Sequence, residues 1–248
     1  MSSSRIRLTH DAYRHAPLPQ PKGDHNTYHL GEIGNHNIVI ACLPTGIYGL
    51  TPAAVVAQQM LSTFPSIEIG LMVGIGGGVP GPLADIRLGD IVVSKPTGLF
   101  PGAYNTTMGK PWRTAAPKHK MGDSNIGLHL TTAARSRPSM QSSFVYPGES
   151  EDILFESSNE HEADQPSCAT CDKTRIVSRP RRDSQAPYIH YGLIASANQV
   201  MKDASTRDRL GEELGILCIE MEAAGLMNHF PCLVIRGICD YSDSHKNK

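Results

Sequence analysis

The sequence predicts an α/β fold, a mostly parallel sheet with helices on both faces. Three observations lead there. Short apolar runs of strand length alternate with segments of helical period. Several of those runs are apolar almost throughout, which suits strands covered on both faces. Glycines or acidic residues stand at the ends of the runs, where sheets of this class open a ligand cleft.

Taken in order, residues 1–26 are polar and proline-rich, with Pro17, Pro19 and Pro21 close together, and predict a loose lead-in. Residues 27–33 and 36–43 read as two strands of a hairpin turning at Gly34 and Asn35. Residues 51–64 read as a helix, with Ala54, Val55, Ala57, Met60 and Leu61 at helical spacing. Residues 67–73 form an apolar strand, broken only by Glu68, that runs into a loop containing Gly74, Gly76, Gly77 and Gly78. Residues 91–94 are another buried strand. Between 101 and 187 no period is visible, and most of the stretch predicts a poorly ordered insertion. Pattern returns with a strand at 190–195, a helix at 205–214, a strand at 216–219, a helix beginning at 223 and a strand at 232–238. The domain is thus expected to span 27–248.

Composition narrows the function classes. The chain has 248 residues, 40% hydrophobic and 19% charged, as expected of one globular domain. Its net charge of −1 gives no reason to expect nucleic acid or an anionic membrane as partner. No apolar run approaches the ~18 residues that span a bilayer, and residues 1–7 lack an apolar signal core. A cytoplasmic protein is expected. Cys42, Cys218, Cys232 and Cys239 lie in apolar runs and read as reduced, buried thiols.

Three strand ends carry candidate chemistry. The glycines at 74–78 let a backbone approach a ligand closely, although a plain tight loop fits as well. Glu220, Met221 and Glu222 put two carboxylates at a strand-to-helix junction. They suit ribose hydroxyls as donors, or equally a solvated helix N-terminus. Asp240 follows a buried strand, where a carboxyl can protonate a leaving base or merely cap a helix.

Other motifs carry less. Cys168 and Cys171 have the spacing of half a zinc site, with His161 and His190 near in sequence. A second Cys-x-x-Cys is absent, so a flexible loop with two thiols and no metal is expected. Arg179, Arg181 and Arg182 read as a solvated basic loop. Neither a phosphate-binding P-loop nor a Gly-x-Ser-x-Gly elbow occurs.

In this order, the runs Glu220-Met221-Glu222-Ala223-Ala224 and Arg236-Gly237-Ile238-Cys239-Asp240-Tyr241-Ser242-Asp243 resemble the nucleoside phosphorylase/nucleosidase superfamily. In particular they resemble a fungal group joined to signalling or repeat modules. The resemblance covers 27–96 and 188–248. It implies a three-layer α/β/α fold whose central mixed sheet is barrel-like. It further implies cleavage of the N-glycosidic bond of purine nucleosides or nucleotides. Asp240 would be the general acid at the purine and Glu222 would accept from the ribose hydroxyls, with Glu220 close by. Met221 would pack under the ribose. Gly76 and Gly77 would line the pocket through their backbone, and Ser196 and Val200 would border the base. No cofactor is implied beyond phosphate as an alternative co-substrate, and a homo-oligomer is admitted.

The chain also departs from the family pattern. Phosphorylases place an arginine and a serine where Met72 and Ile75 stand, and neither side chain can hold a phosphate dianion. Hydrolysis is therefore favoured over phosphorolysis. The family's first strand and last helix are missing from the pattern. Relatives carry Val-Gln-Tyr-Asp-Tyr-Gly where this chain reads Tyr104-Asn105-Thr106-Thr107-Met108. The codons GTA CAA TAC GAC TAT GGG, read one base out of register, give that segment. Residues 101–140 are accordingly expected to be out of frame. These losses favour an alternative reading, a non-catalytic nucleoside-binding or signalling remnant.

Overall fold

The computed structural model describes residues 12–82, 84–96, 102–105, 110–113, 148–162, 165–227, 230 and 232–246. Five strands close a barrel. Around it run β5 (Ile91–Ser94), β10 (Leu233–Asp240), β4 (Leu71–Gly78), β9 (Ile216–Glu220) and β8 (Ile189–Ser196), and β8 pairs back onto β5. The sheet is mixed. The β10–β4, β5–β8 and β8–β9 pairs are parallel, while β10–β5 and β4–β9 are antiparallel. Beyond β5, the same edge of β8 carries β6 (Gly102–Asn105), itself paired with β7 (Lys110–Arg113). The rest of 101–140, where the out-of-frame reading falls, lies outside the described residues.

A separate small sheet joins β1 (Ala12–Arg14), β2 (Tyr28–Ile33) and β3 (His36–Ala41). The expected hairpin at Gly34 is present. The lead-in is less loose than its composition suggests. The Asp24 carboxylate accepts from the Tyr28 hydroxyl at 2.7 Å and from Thr63, and Asn26 Nδ2 donates to the Val56 carbonyl at 2.9 Å. These bonds dock 20–26 on helix α1 (Leu50–Thr63).

Helix α2 (Ala204–Leu214) begins at Asp203, whose side chain accepts from the Thr206 N–H at 3.1 Å, and ends at Gly215 in the left-handed region. A short helix α3 (Ala223–Leu226) packs against α1. A Cβ at Gly225 would collide with the Leu50 backbone, so glycine sets that approach. Alternation along β8 feeds two cores. Ile194 joins Val92, Cys218, Val234 and Tyr241 with Ala53 and Ala57 of α1. Leu193 and Ala195 join Val79, Ile216 and Ile219 under Leu210 and Leu214 of α2. No described helix is long and apolar enough to cross a membrane.

Two expectations about β4 need correction. The strand does not stop before the glycines but runs through them to Gly78. It is also not covered on both faces. Leu71, Val73 and Ile75, which alternate along one side of the strand, are exposed.

The described residues of 148–187 are largely irregular but firmly packed. Their arginines answer two buried carboxylates on or near the barrel. Arg182 makes two 2.7 Å bonds to Asp90, which also accepts from His190 Nε2 and from the Arg87 and Tyr188 amides at 2.9–3.0 Å. Arg179 pairs with Asp152 at 3.1 Å, and the Tyr241 hydroxyl donates to the same carboxylate. Of the basic run read as solvated, Arg181 alone is solvated, with 84% of its side chain exposed. A buried carboxylate needs charged or multiple donors, and this loop supplies them.

Candidate active site

The barrel gathers the residues singled out in the sequence at one set of strand ends. Asp240 ends β10 opposite Gly77 of β4, across a bulge at Cys239. Gly77 also faces Ile219 of β9, and Glu220 lies beside Ser196 at the end of β8. The glycines of β4 give way to side chains from its neighbours. A Cβ at Gly77 would meet the Asp240 carboxylate at 2.7 Å and collide with the Ser242 hydroxyl, and one at Gly76 would meet Cys218 Sγ at 2.5 Å. Their role in the strand is to let other groups cross it.

At Gly74 the crossing group is Arg236. This arginine interrupts the apolar strand β10 and is 3% exposed. A Cβ at Gly74 would collide with its guanidinium. Arg236 Nη2 donates to Glu220 and reaches Glu222 Oε2 at 3.5 Å. Glu220 further accepts from the Glu222 N–H at 3.0 Å and the Ala223 N–H at 2.9 Å, holding the start of α3. Expected as a substrate ligand, Glu220 instead has its oxygens engaged by protein donors, because a fully buried carboxylate needs them. Arg236 Nε is buried with no hydrogen-bond partner. In the sequence, Arg236 lies within a motif without a role of its own. A charge in the middle of a buried strand was the available signal.

Glu222 is more open than Glu220, with 15% of its side chain exposed. It takes one long bond, 3.4 Å, from the Gly49 N–H at the start of α1. Gly49 has a φ of 104°, a conformation that favours glycine and frees this amide. Burial and then the charge of Glu220 raise the Glu222 pKa, against the opposing pull of Arg236.

Asp240 accepts from the Ser242 N–H at 2.8 Å and from Lys246 Nζ at 3.0 Å, both at Oδ1. Ser242 holds a φ of 53°, uncommon for a residue with a side chain. Beside it, burial and the charge of Asp240 push the Cys239 thiol up to about 11, so it is no thiolate at neutral pH.

Two expected base contacts fare differently. Ser196 is fully buried and its hydroxyl accepts from the Ala224 N–H at 3.1 Å, a second tie on α3. Val200 is exposed on the loop after β8. Met221 is half-buried beside the glutamates. A cleft of about 530 Å³ opens elsewhere, between β4's exit at Val79–Pro82, Phe155, Arg179 and α2, and contains neither Glu222 nor Asp240.

The sequence profile described as phosphorylase superfamily matches residues 5–248. The chain belongs to the phosphorylase superfamily. Among curated proteins, this superfamily member is 44% identical over 253 residues to a nucleotide-binding leucine-rich repeat (NLR)-like protein of Hyaloscypha variabilis. The alignment covers 94% of the chain and 25% of that relative, so the chain spans about a quarter of its length. Among solved structures it is similar to a 5′-methylthioadenosine/S-adenosylhomocysteine nucleosidase of Francisella philomiragia, described in its own report as putative. That likeness has 16% identity and a TM-score of 0.48 over 91% of this chain and 77% of the other. Futalosine hydrolase of Helicobacter pylori gives 18% identity and a TM-score of 0.48 over 96% and 78%. Likenesses this loose assign no residue a role.

Proposed function

We propose that this chain cleaves the N-glycosidic bond of a purine nucleoside or nucleotide, with water as the nucleophile. The observation that carries the reading is the difference between the two glutamates. Glu220 is engaged on all sides, whereas Glu222 stands partly open beside it with a raised pKa. Its oxygens are placed to accept from ribose hydroxyls and to stabilise positive charge growing on the sugar as the bond breaks. Gly76 and Gly77 make room for Cys218, Ser242 and Asp240 at the base end, and Met221 offers an apolar floor. Asp240, at the end of β10 beside Gly77, addresses the base.

Water is favoured over phosphate on side-chain grounds. Met72 packs into the core and Ile75 faces outward, so neither enters the site. Arg236, the cation lying over the glycines, is already paired with Glu220. As general acid at purine N7, Asp240 must exchange Lys246 for the base, carrying a proton to the nitrogen as the C–N bond parts. The same ion pair favours the second reading, a nucleoside-binding module that performs no chemistry.

Incubation with adenosine, inosine, guanosine, methylthioadenosine and ATP, with and without phosphate, tests this. Free base is expected without phosphate, and Asp240→Asn is expected to abolish it. Release only with phosphate would make the protein a phosphorylase. Binding without release from folded protein would establish the second reading.

A further inference from the structure

Away from the glutamates, four metal-ligand side chains meet. Cys168 and Cys171 sit at the two ends of a 3₁₀ turn, Cys168–Thr170 capped by Cys171. His161 joins them, and one ligand atom from each of the three lies within 4.8 Å of the others. The fourth comes from the far end of the chain. His245 Nδ1 is 3.5 Å from Cys168 Sγ and 3.7 Å from Cys171 Sγ.

Three features set this cluster apart from a chance meeting of thiols and imidazoles. His161 is 8% exposed, and its Nε2 is buried with no hydrogen-bond partner, although an orphaned ring nitrogen is costly. His245 Nε2 lies 2.8 Å from the Asn159 carbonyl, which can only accept, so this nitrogen carries the proton. Nδ1 therefore presents its lone pair to the two sulfurs, the second-shell arrangement that orients a metal-bound histidine. The distances from His245 Nδ1 to the two sulfurs also fit. Tetrahedral zinc with Zn–S near 2.3 Å and Zn–N near 2.0 Å puts sulfur and nitrogen about 3.5 Å apart.

We propose that Cys168, Cys171, His161 and His245 bind one zinc ion in a closed, structural Cys₂His₂ site. Sequence reading expected no metal here, and of the two histidines it weighed, His190 is held by Asp90 instead. The missing half of the site was not a second Cys-x-x-Cys but a histidine 74 residues beyond Cys171. With four protein ligands the ion has no open position and performs no chemistry. Its task is to cross-link the irregular 159–171 segment to the turn that follows β10. That turn carries Lys246 onto Asp240, so the metal also fixes the site's acidic corner. The His161 N–H already bonds the Ser244 hydroxyl at 2.9 Å, and the His245 ring stacks on Phe155 at 4.0 Å, which brings the two segments into register for the ion.

The full chain, purified without chelator and dialysed, is expected to retain one zinc per chain by elemental analysis. Replacement by Co(II) is expected to give the intense visible bands of a tetrahedral ion and the near-ultraviolet charge transfer of two thiolates. Wild-type protein carries this spectrum, so the test stands even if a variant fails to fold. Cys168→Ser and His245→Ala are each expected to weaken zinc retention at least tenfold, as read by competition with a chromogenic chelator. Protein that is folded yet takes up neither zinc nor cobalt overturns the proposal. So does a cobalt spectrum without thiolate charge transfer, or undiminished retention in the Cys168→Ser, Cys171→Ser double variant.

Discussion

Two of the buried arginine–carboxylate clusters in this barrel, around Asp90 and around Arg236, are built to different standards. Around Asp90, one carboxylate receives two bonds from Arg182, one from His190 and two from backbone amides. Burial opposes its charge, but the His190, Arg182 and amide bonds outweigh burial and draw its pKa down to about 2. Around Arg236, one guanidinium serves two carboxylates, its Nε has no partner, and the second carboxylate has a raised pKa. The first cluster is complete and anchors a loop. The second is incomplete, with Glu222 partly exposed. Incomplete satisfaction at an otherwise well-bonded carboxylate pair is what the proposed binding site requires and a structural brace does not.

That contrast can be broken in order of expected effect. Asp90→Ala strands Arg182 and His190 in the interior and is expected to cost roughly 3–5 kcal/mol of unfolding free energy. Urea denaturation reads this, and a loss no larger than that of a surface variant would remove the brace. Glu222→Gln is expected to behave oppositely. Turnover should fall on the order of 100-fold, while stability stays within about 1 kcal/mol because the raised pKa marks an unfavourable charge. Equal losses in both would make Glu222 structural.

The two clusters also respond to acid with opposite sign. Between about pH 4 and pH 2 the unfolded chain binds more protons at Asp90 than the folded chain does. Roughly 2 kcal/mol of stability, fully present above pH 3.8, is therefore lost as the pH falls through that window. At Glu222 the folded chain holds the proton more tightly, so stability falls as pH rises above 4.5 toward the raised value. Denaturation midpoints against pH, in wild type and Asp90→Asn, separate the two. A wild-type slope that survives Asp90→Asn would assign it elsewhere.

Smaller effects sharpen the picture. Gly77→Ala must displace Ser242 or Asp240 and is expected to cost about 1–3 kcal/mol, with lost activity where Asp240 moves. Thermal melts with parallel base-release assays check it. Arg181→Ala, two positions from Arg179 and next to Arg182, is expected to change stability by less than about 0.5 kcal/mol. A larger loss would show that the whole basic run is structural.

Much of the frame was legible in the residues. The hairpin at Gly34, α1, β5, α2 and β10 follow from apolar period, turn residues and caps, all of which act over a few positions. The run Glu220-Met221-Glu222 was legible as a place where carboxylates need donors. Which glutamate is engaged was not legible, because Arg236 and Gly74 come from other strands. The packing of the described residues in 148–187 is not legible from period. It comes from ion pairs to Asp90 and Asp152 formed over long sequence distances.

By itself, then, the sequence determined the alternation of elements, the glycine and acidic strand ends and the family to which they belong. Those are local signals, or fixed-order motifs. Only the tertiary structure decided the closure of the barrel through β5 and β8, the pairing of Arg236 with Glu220, and the meeting of His161, Cys168 and Cys171 with His245. Each of those joins groups far apart along the chain, and a buried charge or lone pair accepts whatever partner the fold brings within bonding distance.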